Sequence, residues 1–125
     1  MRELWPIERA VLEAAAHDYP ASADRLREQI AAARVTNFQN TGAGFFSTLS
    51  VPPEAPRLKE KSPLDAATGS VADIEHGMGF LIFLENGYVS TIEGYTYAGS
   101  TIGLDFKTVT FALKPWSLTG EKGSG

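Results

Sequence analysis

Cysteine is absent from the chain, which rules out disulfides, thiolate metal sites and a thiol nucleophile. Long apolar runs are missing too. The longest, Phe80 to Leu84, is far shorter than a bilayer requires. Basic charge is scarce: 11 Lys and Arg stand against 15 Asp and Glu, for a net charge of -4. The basic residues are also scattered, as Arg25, Arg27 and Arg34 and then Arg57, Lys59 and Lys61. Binding to a phosphate backbone needs a concentrated basic face, so no nucleic-acid partner is expected. Residues 1–18 alternate charged with apolar side chains, as a mature helix does and a leader does not. The expected setting is therefore the cytoplasm, with no membrane partner.

What remains is the composition of one folded domain. Among 125 residues, 43% are hydrophobic and 21% charged, enough apolar material for a single core. The domain is expected to span residues 1–119, followed by a disordered tail at 120–125 that has nothing to bury.

Pro6 suits a first helical turn because its missing N–H has no helical partner there. Ile7, Val11, Ala14 and Ala15 then share one face, and the helix reads to about His17. Tyr19-Pro20 interrupts it. Ser22 reads as the N-cap of a second helix carrying Leu26, Ile30 and Ala33. Beyond Arg34 the pattern turns to strands, at Val35–Phe38 and at Phe45–Val51, around Asn40-Thr41-Gly42. Four prolines between Pro52 and Ser70 suggest a long exposed loop. Asn86-Gly87 is the pair best suited to a type I′ hairpin turn between Gly79–Glu85 and Tyr88–Tyr97. Val109, Phe111 and Leu113 alternate with polar or small residues as a last half-buried strand. The expected architecture is α+β, with two N-terminal helices packed on an antiparallel sheet of about four or five strands.

A two-residue turn with regular pairing sets Leu84 opposite Val89, Ile82 opposite Thr91 and Phe80 opposite Glu93. Apolar side chains on both faces of Gly79–Glu85 then predict a strand covered on two sides. Glu93 falls among Phe80, Ile82 and Leu84, where a carboxylate must be hydrogen-bonded, paired or protonated. It reads either as a structural acceptor or as a general base in a sheet-lined pocket. Asp73, Glu75 and His76 form a second polar cluster, with Asp73 and Glu75 as candidate binding residues and too few ligands for a metal site. Tyr95 and Tyr97, with Tyr88 and Trp116, could line a recognition surface. Serine-nucleophile and dinucleotide-binding motifs are missing, so no cofactor is expected. The G-x-G-F-apolar pattern occurs twice, at Gly42–Phe46 and Gly77–Leu81, each time opening a strand.

The strings Thr41-Gly42-Ala43-Gly44-Phe45-Phe46, His76-Gly77-Met78-Gly79-Phe80-Leu81-Ile82-Phe83 and Ile92-Glu93-Gly94-Tyr95-Thr96-Tyr97 resemble those of a family of small bacterial proteins of unknown function. The likeness extends over residues 7–97. It implies a bacterial, intracellular protein and brings no activity, cofactor or catalytic residue. Relatives of that kind carry a Trp-Pro pair soon after the EGYTY string. Residues 98–106 hold none, so the C-terminal edge is expected to differ.

These residues do not assemble a complete catalytic set. The expected function is a non-enzymatic binding or interaction protein, of the kind that serves as an immunity or regulatory partner. The alternative is a small-ligand pocket or metal-free enzyme with Glu93 and His76 as acid and base. Another protein, a small molecule or a second copy of the chain are the partner classes left open. The turn itself yields a first prediction. Gly87→Val should destabilise the fold by roughly 1–3 kcal/mol, because a β-branched side chain is strained at positive φ. An unchanged thermal midpoint would show that the turn is of another type.

Overall fold

The computed structural model describes residues 1–118, so the expected tail lies outside the described residues. In chain order the elements are α1 (Pro6–Asp18), a short 3-10 turn, α2 (Ala23–Ala32), β1 (Arg34–Asn40), β2 (Gly44–Ser50), β3 (Leu64–Val71), β4 (Met78–Glu85), β5 (Tyr88–Thr96) and β6 (Phe111–Pro115). The six strands form one sheet in the order β1-β2-β5-β4-β3-β6, with every pairing antiparallel. The helices cover one face of it. There Ile7, Val11, Leu12, Leu26 and Ile30 join Phe45, Phe80, Ile82 and Ile92 in a single core. No described helix is long and apolar enough to cross a membrane.

The sheet has one strand more than the sequence suggests, and the addition is β3. Its run Ala66-Ala67-Thr68-Gly69-Ser70 has no apolar alternation to announce a strand. A bulge between Asp65 and Ala67 leaves both Ala66 and Ala67 fully buried. Small side chains here let α1 pack directly on β3. A Cβ on Gly69 would sit 2.1 Å from the Ala112 carbonyl of β6. The strand exists because its neighbours approach closely, a reason that lies outside the segment itself.

The proline-rich segment is consequently shorter than expected, and it is anchored. Gln29 of α2 is fully buried. Its amide donates to the carbonyls of Pro56 (2.8 Å) and Gly87 (3.0 Å) and accepts from the Val89 N–H (2.9 Å). The Leu58 N–H also donates to Gly87 O, and the Tyr88 hydroxyl donates to Pro53 O. One glutamine thus ties α2, the proline segment and the β4–β5 turn together. Asn86 and Gly87 have φ 53° and 84°, the geometry of a type I′ turn. Ser22 occupies the N-cap position of α2 as expected, but its side chain makes no capping bond. Its hydroxyl reaches Glu60 of the proline segment instead.

The deepest charge is Glu8, at 0% exposure. Its carboxylate accepts from both terminal nitrogens of Arg2 (2.8 and 2.9 Å), from the Trp5 N–H (2.7 Å) and from the Ser47 hydroxyl of β2. Arg2 is fixed in turn by Trp5, its guanidinium carbon 3.4 Å from the ring centroid, and by a backbone bridge to Val35 of β1. A buried carboxylate is tolerated only when its charge and lone pairs are matched this fully. Arg2→Ala should therefore destabilise by about 2–4 kcal/mol, since it strands a buried charge. Adding Glu8→Gln should recover part of that loss. Urea denaturation of the single and double variants checks this, and strictly additive costs would contradict the coupling.

Candidate functional site

Three neighbouring strands explain the repeated glycine motif. On the helix-covered face, Gly94 of β5 lies between Phe45 of β2 and Phe80 of β4. A Cβ on Gly94 would meet those rings at 2.7 and 3.0 Å. One residue along, on the opposite face, Tyr95 lies between Gly44 and Gly79. A Cβ on Gly79 would sit 2.5 Å from the Tyr95 ring and 2.6 Å from the Tyr97 hydroxyl. Both copies of G-x-G-F therefore flank β5 at the same level, as its complement. Gly-Phe on either side meets Gly-Tyr in the middle.

The register corrects the expected placement of Glu93. A bulge between Phe83 and Leu84 of β4 leaves Ser90 of β5 without an opposite partner. Ser90 Oγ donates to the Phe83 carbonyl at 3.0 Å. Beyond the bulge every pair moves by one residue, so Ile92 faces Ile82 and Glu93 faces Leu81. A one-residue shift exchanges faces. Ile92 is buried in the core, while Glu93 stands on the outer face, away from Phe80. A two-residue turn fixes register only where no bulge follows it.

The outer face has no helix over it among the described residues. One row across it reads Phe46, Glu93, Leu81 and Asp65. Phe46 is 38% exposed, Leu81 and Glu93 are half-buried, and Asp65 is exposed. Phe83 adds a further half-buried ring opposite Thr91. The strand expected to be covered on both sides is thus covered on one. In the next row the Tyr95 and Tyr97 rings meet edge to face, their centroids 5.7 Å apart. The Tyr97 hydroxyl lies 2.7 Å from Thr68 Oγ1 of β3. Burial first, then Tyr97, then the charges of Asp65 and Glu93, raise the Tyr95 pKa above its ordinary 10.0. Neither Glu93 nor Asp65 has a side-chain hydrogen bond or ion pair among the described residues.

Asp73, Glu75 and His76 lie elsewhere, in the turn between β3 and β4. Asp73 and His76 both have φ 68°, a conformation uncommon outside glycine. His76 Nε2 is 3.4 Å from Glu75 Oε2, and both side chains are well exposed. Among the described residues no three acidic or imidazole groups are placed to hold a metal. Glu93 is three pairs along the sheet from Met78, where β4 begins, or about 10 Å at the rise of a strand. His76 and Glu93 are therefore not brought together. A depression of about 380 Å³ is lined by Met1, Arg2 and residues 35–38. Another of about 240 Å³ is lined by the ends of β2 and β5 and the turn between β4 and β5. Neither includes His76 or Glu93.

The buried polar residues Glu8, Gln29 and Ser47 were not apparent from sequence reasoning. Glu8 did leave a signal, since it lies one turn before Leu12 on the apolar stripe of α1. Phe46 and Asp65 gave none, because only pairing brings them into the same row as Glu93.

No protein-family model, curated protein or solved structure matches the chain.

Tyr95 reports on this face. Its raised pKa means that any associated stability is present below the unfolded value and lost as pH rises through the folded one. In ring-carbon NMR titration Tyr95 should ionise above 10.0. Tyr97→Phe should lower that value more than Glu93→Gln does. Glu93→Gln should itself change stability by no more than about 0.5 kcal/mol, as expected away from a bonded network. A Tyr95 that titrates at or below its ordinary value would refute this arrangement.

Proposed function

We propose that this protein is a non-enzymatic interaction module of the bacterial cytoplasm that docks a partner protein on the outer face of its sheet. The observation that carries the reading is the uncovered cluster of Phe46, Leu81, Phe83, Tyr95 and Tyr97 at the middle of that face. Monomeric proteins seldom leave contiguous aromatic and aliphatic side chains exposed at a sheet centre without a binding role. Tyrosine and phenylalanine are also enriched at protein interfaces, where large rigid rings add contact area at little entropic cost. Polar Gln39, Thr48, Thr91 and Asp65 surround the cluster as a rim would. The motif resemblance to small intracellular bacterial proteins supports the compartment. An immunity or regulatory partner is the role that such a compact acidic domain would serve.

The alternative, acid–base chemistry by Glu93 and His76, has weaker support, since the two stand apart and neither lines a described cavity. A site-specific photo-crosslinker distinguishes the readings. Phe46 is replaced by p-benzoylphenylalanine and the protein is irradiated in its source cells, with Arg25 on α2 as the control position. One discrete adduct from position 46 and none from position 25 is expected. Identical adducts at both positions, or none at either, would defeat the docking reading.

A further inference from the structure

Resting on that docking reading, we infer that the partner presents an arginine or lysine side chain between apolar residues, seated over Leu81 between Glu93 and Asp65. The argument begins with desolvation. Glu93 stands half-buried between Phe46 and Leu81, so any surface that covers the apolar cluster also covers its carboxylate. A carboxylate buried without a counter-charge or donors is penalised by several kcal/mol. An uncharged apolar partner would meet that penalty in full. A cation converts it into a charge-assisted hydrogen bond.

The register places a second carboxylate within reach. Asp65, Leu81 and Glu93 occupy one row on adjacent strands, so the two acidic residues are two strand spacings apart, about 10 Å between backbones. Side chains leaning inward over Leu81 bring both carboxylates to a cation centred there. The electrostatics agree, because the phenol of Tyr95, next along β5, is held protonated to higher pH partly by these same two charges. Two basic residues share this face, Lys114 at the β6 margin beside Thr68 and Arg34 opposite Ser50 at the start of β1, and among the described residues neither forms an ion pair with Glu93 or Asp65. The chain's own cations therefore leave both carboxylates unmatched, and the proposed partner supplies the charge.

Two other occupants fit less well. Single-stranded RNA stacks its bases on exposed aromatic rings, but its phosphates would face Glu93 and Asp65 with no basic side chain in the row to offset them. A second copy of the chain would set the same carboxylates against each other.

The test is amide NMR of the full chain with a short acetylated peptide holding arginine between two valines, and with the same peptide carrying citrulline. The arginine peptide is expected to shift the amides of Phe46, Leu81, Glu93 and Thr68. It should also bind about tenfold more tightly than the citrulline peptide, as a charge-assisted bond would give. Glu93→Gln with Asp65→Asn should erase that preference while the rest of the spectrum stays that of the folded protein. Equal binding of both peptides on this face would overturn the inference yet leave the docking reading in place. Shifts confined to another region, or no shift with either peptide, would overturn it as well. So would tighter binding of oligouridylate at these amides, or a dimer buried through them. Failure of docking itself is read separately, because the crosslink at position 46 does not depend on the occupant's charge.

Discussion

Much of this structure depends on the missing side chain at Gly94. With only hydrogen there, the Phe45 and Phe80 rings close over β5 to a centroid distance of 6.1 Å. Those rings fill the centre of the core, and Phe45 continues it to Phe106 at 4.6 Å. The alternation of a strand then compels the next residue, Tyr95, to the other face. There it lies over Gly79, a second position that cannot hold a side chain. One dipeptide therefore sets the packing of the inner face and the floor of the outer one.

The helices are fastened to this sheet by polar contacts as well as by apolar burial. Glu8 joins α1 to β2 through Ser47 and to the N-terminal segment through Arg2. Gln29 joins α2 to the proline segment and to the β4–β5 turn. Apolar contacts are non-directional and tolerate sliding. A buried amide with three defined partners, or a carboxylate with four donors, permits one arrangement only. These two residues fix where the helices sit and leave the opposite face of the sheet untouched.

That contrast bears on function. On the inner face every buried charge or amide described above has its partners. On the outer face Glu93 and Asp65 have none among the described residues, although Glu93 is flanked by Phe46 and Leu81. The docking role proposed above rests on this combination of unmatched charge and exposed apolar surface. Within that proposal, the acidic character of the row weighs against nucleic acid as the occupant.

Local physics made several elements legible in the sequence alone. Helical spacing of Ile7, Val11, Leu26 and Ile30 gave both helices, and Asn86-Gly87 gave the hairpin, because only a few residues accept positive φ. The paired G-x-G-F strings were visible, but not their meaning, since nothing local says that both flank the same strand. Two features were decided by tertiary structure. β3 is built from small residues whose conformation is set by α1, β4 and β6 closing around them. The side on which Glu93 stands was decided by the bulge at Ser90, because strand faces alternate with a period of two and one extra residue exchanges them. Local propensity determined which segments are ordered, and pairing between distant segments determined which face each side chain serves.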